Sequence, residues 1–226
     1  MSISEQKSIT CPKCSKTGSF KIWRSINTSL DPEMRQAVRD GSAFIFSCPH
    51  CNNKTHVEYG FLYHQMDDQI MIDVATSEED AKQALEAFSG GPMADIMRDF
   101  KMETHYLNRI VKSQNGLREK LNILDNGYDD RLMEIYKVFL LSEYQKMNPN
   151  AKEIELLYYE NPEGTKGVQV FCDGQPDGSF RFSEDMYKQL YDIFMPKLKD
   201  IRDEQPFVNR EWALNFIRSD RAKNQK

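Results

Sequence analysis

Cys11-Pro12-Lys13-Cys14 and Cys48-Pro49-His50-Cys51 are two copies of one tetrapeptide, and together they hold four of the five cysteines in a chain of 226 residues. Two residues between paired cysteines let a tight turn aim both sulfurs at one point. A second such turn completes a tetrahedron of the kind Zn²⁺ accepts. The prolines fix φ at the second position of each turn. A residue that tolerates a left-handed backbone suits the position after such a knuckle; Asn52 fits that role well and Ser15 less well. Redox Cys-x-x-Cys motifs do not come as matched twins, and disulfides are disfavoured in a reducing compartment. The pattern predicts one structural Zn²⁺ on Cys11, Cys14, Cys48 and Cys51, with iron on the same four sulfurs left open. Four protein thiolates leave no position for water, so this metal is expected to hold structure and not to hydrolyse. Its binding free energy is then largely folding free energy of the N-terminal region.

Working outward, the flanks of the knuckles read as strands. Phe20 and Ile22 alternate with Lys21, Phe44 and Phe46 alternate with Ile45, and Val57, Tyr59, Phe61 and Tyr63 make a period-two stripe. Between the knuckles, Asp31-Pro32 starts a short helix over Glu33–Arg39 that stops at Asp40-Gly41. The expectation is a zinc ribbon whose hairpins are separated by a helical insert.

With these motifs in view, the sequence resembles the CpXC protein family. The resemblance rests on the paired Cys-Pro-x-Cys motifs and on Trp23-Arg24-Ser25-Ile26-Asn27, Asp31-Pro32-Glu33 and Asp40-Gly41-Ser42-Ala43-Phe44 between them. It continues through Val57-Glu58-Tyr59, Leu62-Tyr63-His64, Met71-Ile72, Arg109-Ile110-Val111, Asn115, Leu117-Arg118-Glu119-Lys120 and Asp129-Asp130-Arg131. The family is named for its cysteines and has no established activity, so the resemblance strengthens the metal site and implies no reaction.

After Asp73 the pattern turns helical. Thr76 or Ser77 can cap a helix with Ala81, Ala84, Leu85 and Phe88 on its apolar face, and Ser89-Gly90-Gly91-Pro92 ends it. Further stripes at helical spacing are Met93, Ile96, Met97 and Phe100, then Tyr106, Leu107, Ile110 and Val111, then Leu117, Leu121 and Leu124 up to the break at Asn126-Gly127. Asp129 and Asp130 suit the start of a helix over Arg131–Met147 that is apolar on nearly all sides, the mark of a central core element. Ile154–Tyr159, Val168–Phe171 and Ser179–Phe182 read as a three-stranded antiparallel meander with turns at Asn161-Pro162-Glu163-Gly164 and over Asp173–Gly178. Ser183 caps a helix carrying Tyr187, Leu190, Tyr191, Phe194 and Leu198, and Asn209 starts a last one with Trp212, Ala213, Phe216 and Ile217. A frayed tail is expected from Arg218. The fold class predicted is α+β, with a ribbon region over residues 1–75, a helical region over 76–148 continuous with it, and a small α+β region over 149–226.

The chain is 39% hydrophobic and 29% charged, rich enough in apolar side chains to exclude disorder over most of its length. Met1–Thr10 shows no signal peptide, and the most apolar run, Val138–Leu141, is far too short to cross a bilayer, so a cytoplasmic protein away from membranes is expected. Met1–His64 carries eight Lys/Arg against five Asp/Glu, while the remainder carries twenty-two against thirty. Lys13, Lys16 and Lys54 flank the knuckles, and offsetting four thiolates accounts for much of this basic head. Nucleic-acid binding usually needs a stronger basic bias.

Other candidates are weaker. His56-Val57-Glu58 lies on the wrong side of both knuckles for a deaminase signature, and Cys172 lacks an identifiable base. His50 is expected to point outward, and His64 and His105 have no partners nearby in sequence. Trp23, Phe20, Tyr59 and Phe61 interleave with Lys21 and Arg24, as in some single-strand binders, but a small ribbon also needs large side chains for its core. No catalytic residue is assigned. The leading expectation is a binding or adaptor module for an unknown protein partner; the alternatives are a nucleic-acid-binding ribbon and an enzyme with a site distant from the zinc.

Overall fold

The residues flanking the first knuckle form a hairpin, with strand β1 (Ile3–Thr10) paired antiparallel to strand β2 (Thr17–Asn27) and a register shift next to Ile3. A computed structural model describes residues 1–89, 106–199 and 206–223 of the chain. The expected Met93, Ile96, Met97 and Phe100 stripe, the Gly90-Gly91-Pro92 part of the helix stop and His105 lie outside the described residues. The described part is α+β, and it divides into two compact units, Met1–Arg118 and Glu119–Lys226.

In the first unit, helix α1 (Glu33–Asp40) begins after Pro32 and stops at Gly41, whose φ of 81° gives the left-handed C-terminal turn that glycine accepts without strain. A 3₁₀ turn at Ser42–Phe44 leads into strands β3 (Ile45–Ser47) and β4 (Lys54–His56), a short antiparallel hairpin with the second knuckle at its tip. Strands β5 (Phe61–Gln65) and β6 (Ile70–Val74) follow, then helix α2 (Glu78–Phe88) and strand β7 (Leu107–Val111). Ser77 caps α2 in a capping box with Asp80. The main sheet runs β1-β2-β5-β6-β7, with β2–β5 and β6–β7 parallel and the other pairs antiparallel. Its core includes Ile22, Trp23, Ile26, Phe61, Tyr63, Ile72, Val74 and Ile110, with Met34 and Val38 from α1 also buried. Arg39 Nη1 donates to the Tyr63 hydroxyl at 3.0 Å and Nη2 to Gln65 Oε1 at 3.1 Å, tying α1 to β5.

Two expectations are corrected in this unit. The stripe Val57, Tyr59, Phe61, Tyr63 is not one strand. β4 ends at His56 and β5 begins at Phe61 in a different sheet, because Gly60 passes so close to the backbone that a Cβ there would lie 2.6 Å from the Val74 carbonyl oxygen. The Tyr106, Leu107, Ile110, Val111 run, read as a helix, forms β7. Its spacing suits either structure, and the β-branched Ile110 and Val111 bury beside β6 in register with Asp73 and Val74.

Helix α3 (Gln114–Asp125) carries the division between the units. In the second unit, α4 (Asp130–Met147) lies in the core with the antiparallel meander of β8 (Glu155–Glu160), β9 (Lys166–Cys172) and β10 (Gln175–Arg181), and with α5 (Glu184–Leu198) and α6 (Arg210–Lys223). Asp129 caps α4 by accepting from Arg131 and Leu132 N–H, and Ser183 caps α5. The β9–β10 turn is tighter than expected: Cys172 pairs with Gln175, and Asp173 and Gly174, with φ of 51° and 74°, make a two-residue hairpin loop that leaves residues 175–178 in the strand. On α5 the buried stripe is Tyr187, Leu190, Phe194 and Leu198, while Tyr191 is exposed. The expected fraying from Arg218 is also corrected, since α6 continues to Lys223 and Asp220 accepts from Lys197 of α5 at 2.6 Å.

α4 is buried on nearly all sides up to Leu141, as its pattern predicts, and so are its charged residues Asp130, Glu134 and Lys137, while Glu143 and Lys146 are exposed. Lys137 Nζ lies 2.8 Å from Glu119 Oε1 and 3.0 Å from Glu134 Oε1, and Lys120 Nζ lies 3.0 Å from Glu134 Oε1 and 3.2 Å from Asp130 Oδ2. The Tyr158 backbone N–H also donates to Glu119 Oε1 at 2.7 Å. Burial would raise Glu134, but the ammonium groups of Lys120 and Lys137 outweigh it and hold its carboxyl below the usual range. For Glu119 burial wins over Lys137, and its carboxyl is pushed up. Burial pulls Lys137 down, yet the charges of Glu119 and Glu134 outweigh that and raise it.

Lys137→Met is expected to destabilise the chain by about 3–5 kcal/mol in urea unfolding, since it strips a partner from two buried carboxylates; Lys137→Met with Glu119→Gln should cost less. Asp73 offers a pH test. Burial, with the Asp80 charge adding, pushes its carboxyl up to about 6, against about 3.9 in the unfolded chain. Between those values the folded state binds more protons, so this carboxyl makes stability fall as pH rises from about 4 to about 6. Asp73→Asn should therefore be more stable than the parent chain at pH 7 and nearly equal to it below pH 4.

Candidate metal centre

Each knuckle closes by the same two backbone hydrogen bonds. Cys11 N–H donates to Lys16 O at 2.9 Å and Ser15 N–H to Cys11 O at 2.9 Å; Cys48 N–H donates to Asn53 O at 2.9 Å and Asn52 N–H to Cys48 O at 3.0 Å. Ser15 and Asn52 occupy the left-handed region with φ of 57° and 56°. The turn therefore asks the same conformation of both, although only Asn52 is a residue that adopts it readily.

The two tips meet with their sulfurs inward. Cys11 Sγ lies 3.7 Å from Cys51 Sγ, Cys14 Sγ lies 3.6 Å from Cys48 Sγ, and all four are within 4.8 Å of one another. A tetrahedron with metal–sulfur bonds of about 2.3 Å has sulfur–sulfur edges of about 3.8 Å. The donor set and its spacing fit one thiophilic ion, and the group can hold a metal. Cys11 and Cys48 are buried, Cys14 and Cys51 half-buried, and Ile9, Phe20, Phe46 and Val57 pack around them.

The thiols do not behave alike. Burial raises Cys11, but the backbone N–H groups of Cys14 and Lys13, with the Cys51 and Cys48 thiols, outweigh it and bring it down to about 7. The Asn53 N–H pulls Cys51 down, yet burial and the other three sulfurs outweigh it and push it up to about 12. Ionising all four sulfurs at this spacing requires a cation among them.

The approach of the tips depends on Gly18. A Cβ at that position would lie 2.7 Å from Pro49 Cδ and 2.9 Å from Phe46 Cζ, so the second residue of β2 must be bare for the second knuckle to close on it. His50 points outward, as expected, and its Nε2 lies 3.1 Å from the Thr17 carbonyl oxygen.

The profile described as CpXC protein matches residues 9–137, more than half of the chain. The chain belongs to the CpXC family. No curated protein and no solved structure matches it. The CpXC match begins just before Cys11 and ends at Lys137, so it takes in both knuckles and all five members of the buried charge network.

Elsewhere in this CpXC protein the candidates serve packing. Trp23 and Phe61 are buried, Phe20 packs edge-on against Phe46, and Tyr59 packs against Phe44 and Phe61. Lys21 Nζ sits 3.8 Å over the Trp23 ring. His56 and Glu58 are exposed while Val57 turns toward the cysteines. His64 lies 3.0 Å from the Tyr106 hydroxyl. A groove lined by Tyr144, Asn148, Cys172 and Asp177 has polar groups but no activated nucleophile: Cys172 donates to the Lys152 carbonyl oxygen, and Tyr144, bonded to Asp177, is pushed up to about 12. The charge network of α3 and α4 was missed from sequence, although one signal was available. A helix apolar on all sides leaves Glu134 and Lys137 no wet face.

Ser15→Gly should stabilise the chain by about 1 kcal/mol in thermal unfolding, by relieving the left-handed strain of a side chain at that position. Gly18→Val should do the reverse and also lower metal affinity at least about tenfold in a chelator competition, by wedging Pro49 away from the first knuckle.

Proposed function

We propose that Cys11, Cys14, Cys48 and Cys51 bind one structural zinc ion, and that the protein is a zinc-stabilised binding module whose partner is another protein. The carrying observation is the closed set of four sulfurs within 4.8 Å. Four thiolates saturate a tetrahedral ion and leave no site for water or substrate, so the metal's part is to join the tips of two hairpins. The ribbon aromatics that would stack on nucleic-acid bases are engaged in packing or beneath Lys21, which favours a protein partner over single-stranded nucleic acid. The thiolates must be deprotonated to bind, so zinc is held at neutral pH and released as the medium is acidified.

Metal analysis of purified chain tests the first half. One zinc per chain is expected, lost in Cys48→Ser together with thermal stability; metal-free protein with an unchanged melting curve would sink the proposal. The second half predicts an association with a protein that persists at high salt. Binding to single-stranded nucleic acid that falls steeply with salt would replace it.

A further inference from the structure

β1 leaves one edge of the main sheet open. It is the end strand, it pairs with β2 on one side, and none of its residues is buried. Among the described residues no strand pairs with its other side. Long edge strands are usually blunted by proline, a central bulge, shortness or charged side chains; Ile3–Thr10 has no proline, its register shift sits at its first residue, and its only two charges, Glu5 and Lys7, are of opposite sign. Cys11 N–H donates to Lys16 O, which continues the β1–β2 ladder. By the alternation of antiparallel pairs, Glu5, Lys7 and Ile9 then turn their backbone groups toward β2, and Ser4, Gln6 and Ser8 turn theirs to the open edge.

The sequence of that edge is its own complement. Turned antiparallel about Gln6, Ile3 meets Ile9, Ser4 meets Ser8 and Glu5 meets Lys7. The outward groups of Ser4, Gln6 and Ser8 then supply the hydrogen-bonded pairs. Glu5–Lys7 and Ile3–Ile9 fall at the intervening positions, where facing Cα atoms come to about 4.5 Å and side chains are closest. Charge selects this centre. Pivoting on Glu5 would set glutamate on glutamate, and pivoting on Lys7 would set lysine on lysine, arrangements that destabilise. Among the described residues Glu5 has loose surface pairs, with Lys7 at 3.4 Å and Arg24 at 3.5 Å, which cost little to exchange.

We propose that β1 is the interface of a two-fold homodimer, pairing antiparallel about Gln6 with β1 of a second copy and joining the two main sheets into one. The contact is isologous, so every favourable pair occurs twice. One strand edge is smaller than a standard interface, and the association is reversible.

Sedimentation velocity of the untagged full chain across a concentration series is the test. The parent chain should pass from monomer to dimer. Glu5→Lys and Lys7→Glu should each weaken the dimer at least about tenfold, since either sets like charges face to face at two places. The double variant Glu5→Lys/Lys7→Glu should regain it. Lys7 is exposed and Glu5 half-buried, and far-UV circular dichroism with zinc content checks that each variant folds. A second measurement uses the parent chain alone: exchange of the Ser4, Gln6 and Ser8 amides should slow as concentration rises. A parent chain monomeric at every concentration, a dimer indifferent to the single swaps, a double variant that stays monomeric, or β1 amides indifferent to concentration would each overturn the proposal.

Discussion

The first unit depends on four sulfur atoms from two hairpins meeting within 4.8 Å. Neither hairpin reaches that point alone. β3 and β4 are short, and their packing on the first knuckle runs through Phe46 and Pro49 against the bare backbone of Gly18. The sulfur cluster is also the centre of a small apolar group of its own, with Ile9, Phe20 and Val57 around it. A ribbon with so little apolar surface has little burial energy to draw on. Thiolate–metal bonding is the kind of interaction that can supply the difference.

The second unit solves its core differently. α4 is surrounded up to Leu141, so Asp130, Glu134 and Lys137 are neutralised inside by Lys120 and Glu119 of α3, and the Tyr158 N–H also donates to Glu119. Each apolar side chain fully buried there contributes about 1.5–3 kcal/mol. The charges contribute little net stability, because their desolvation offsets most of their attraction. What they add is directional. Glu119 and Lys120 on α3 must face Glu134 and Lys137 on α4, which fixes the rotation of each helix about its axis.

The knuckles were legible from sequence because the ligand spacing is local and chemically specific. The same holds for the caps at Ser77, Asp129 and Ser183, where one side chain satisfies backbone groups a few residues away. Expectation failed where the deciding contact was distant. β7 is a strand because β6 lies beside it, and the break between β4 and β5 sits at Gly60 because the Val74 carbonyl passes there. Nothing within a few residues of Ile110 or Tyr59 encodes either neighbour. Ser15 shows the converse: the turn imposed φ of 57° on a residue whose own preference argued against it.

The closest sulfur pairs, Cys11 with Cys51 and Cys14 with Cys48, join positions 40 and 34 residues apart. An ion bound among them would turn β2, α1 and β3 into a closed ring, clasped at its two ends like a necklace. Such a ring has fewer ways to unfold than an open chain, and the entropy removed grows slowly with its circumference. A protease cut at the exposed turn of Ser29 and Leu30 would open the ring without freeing either end. The metal would then act as a topological fastener, a second tie between the two pieces beside the pairing of β2 with β5.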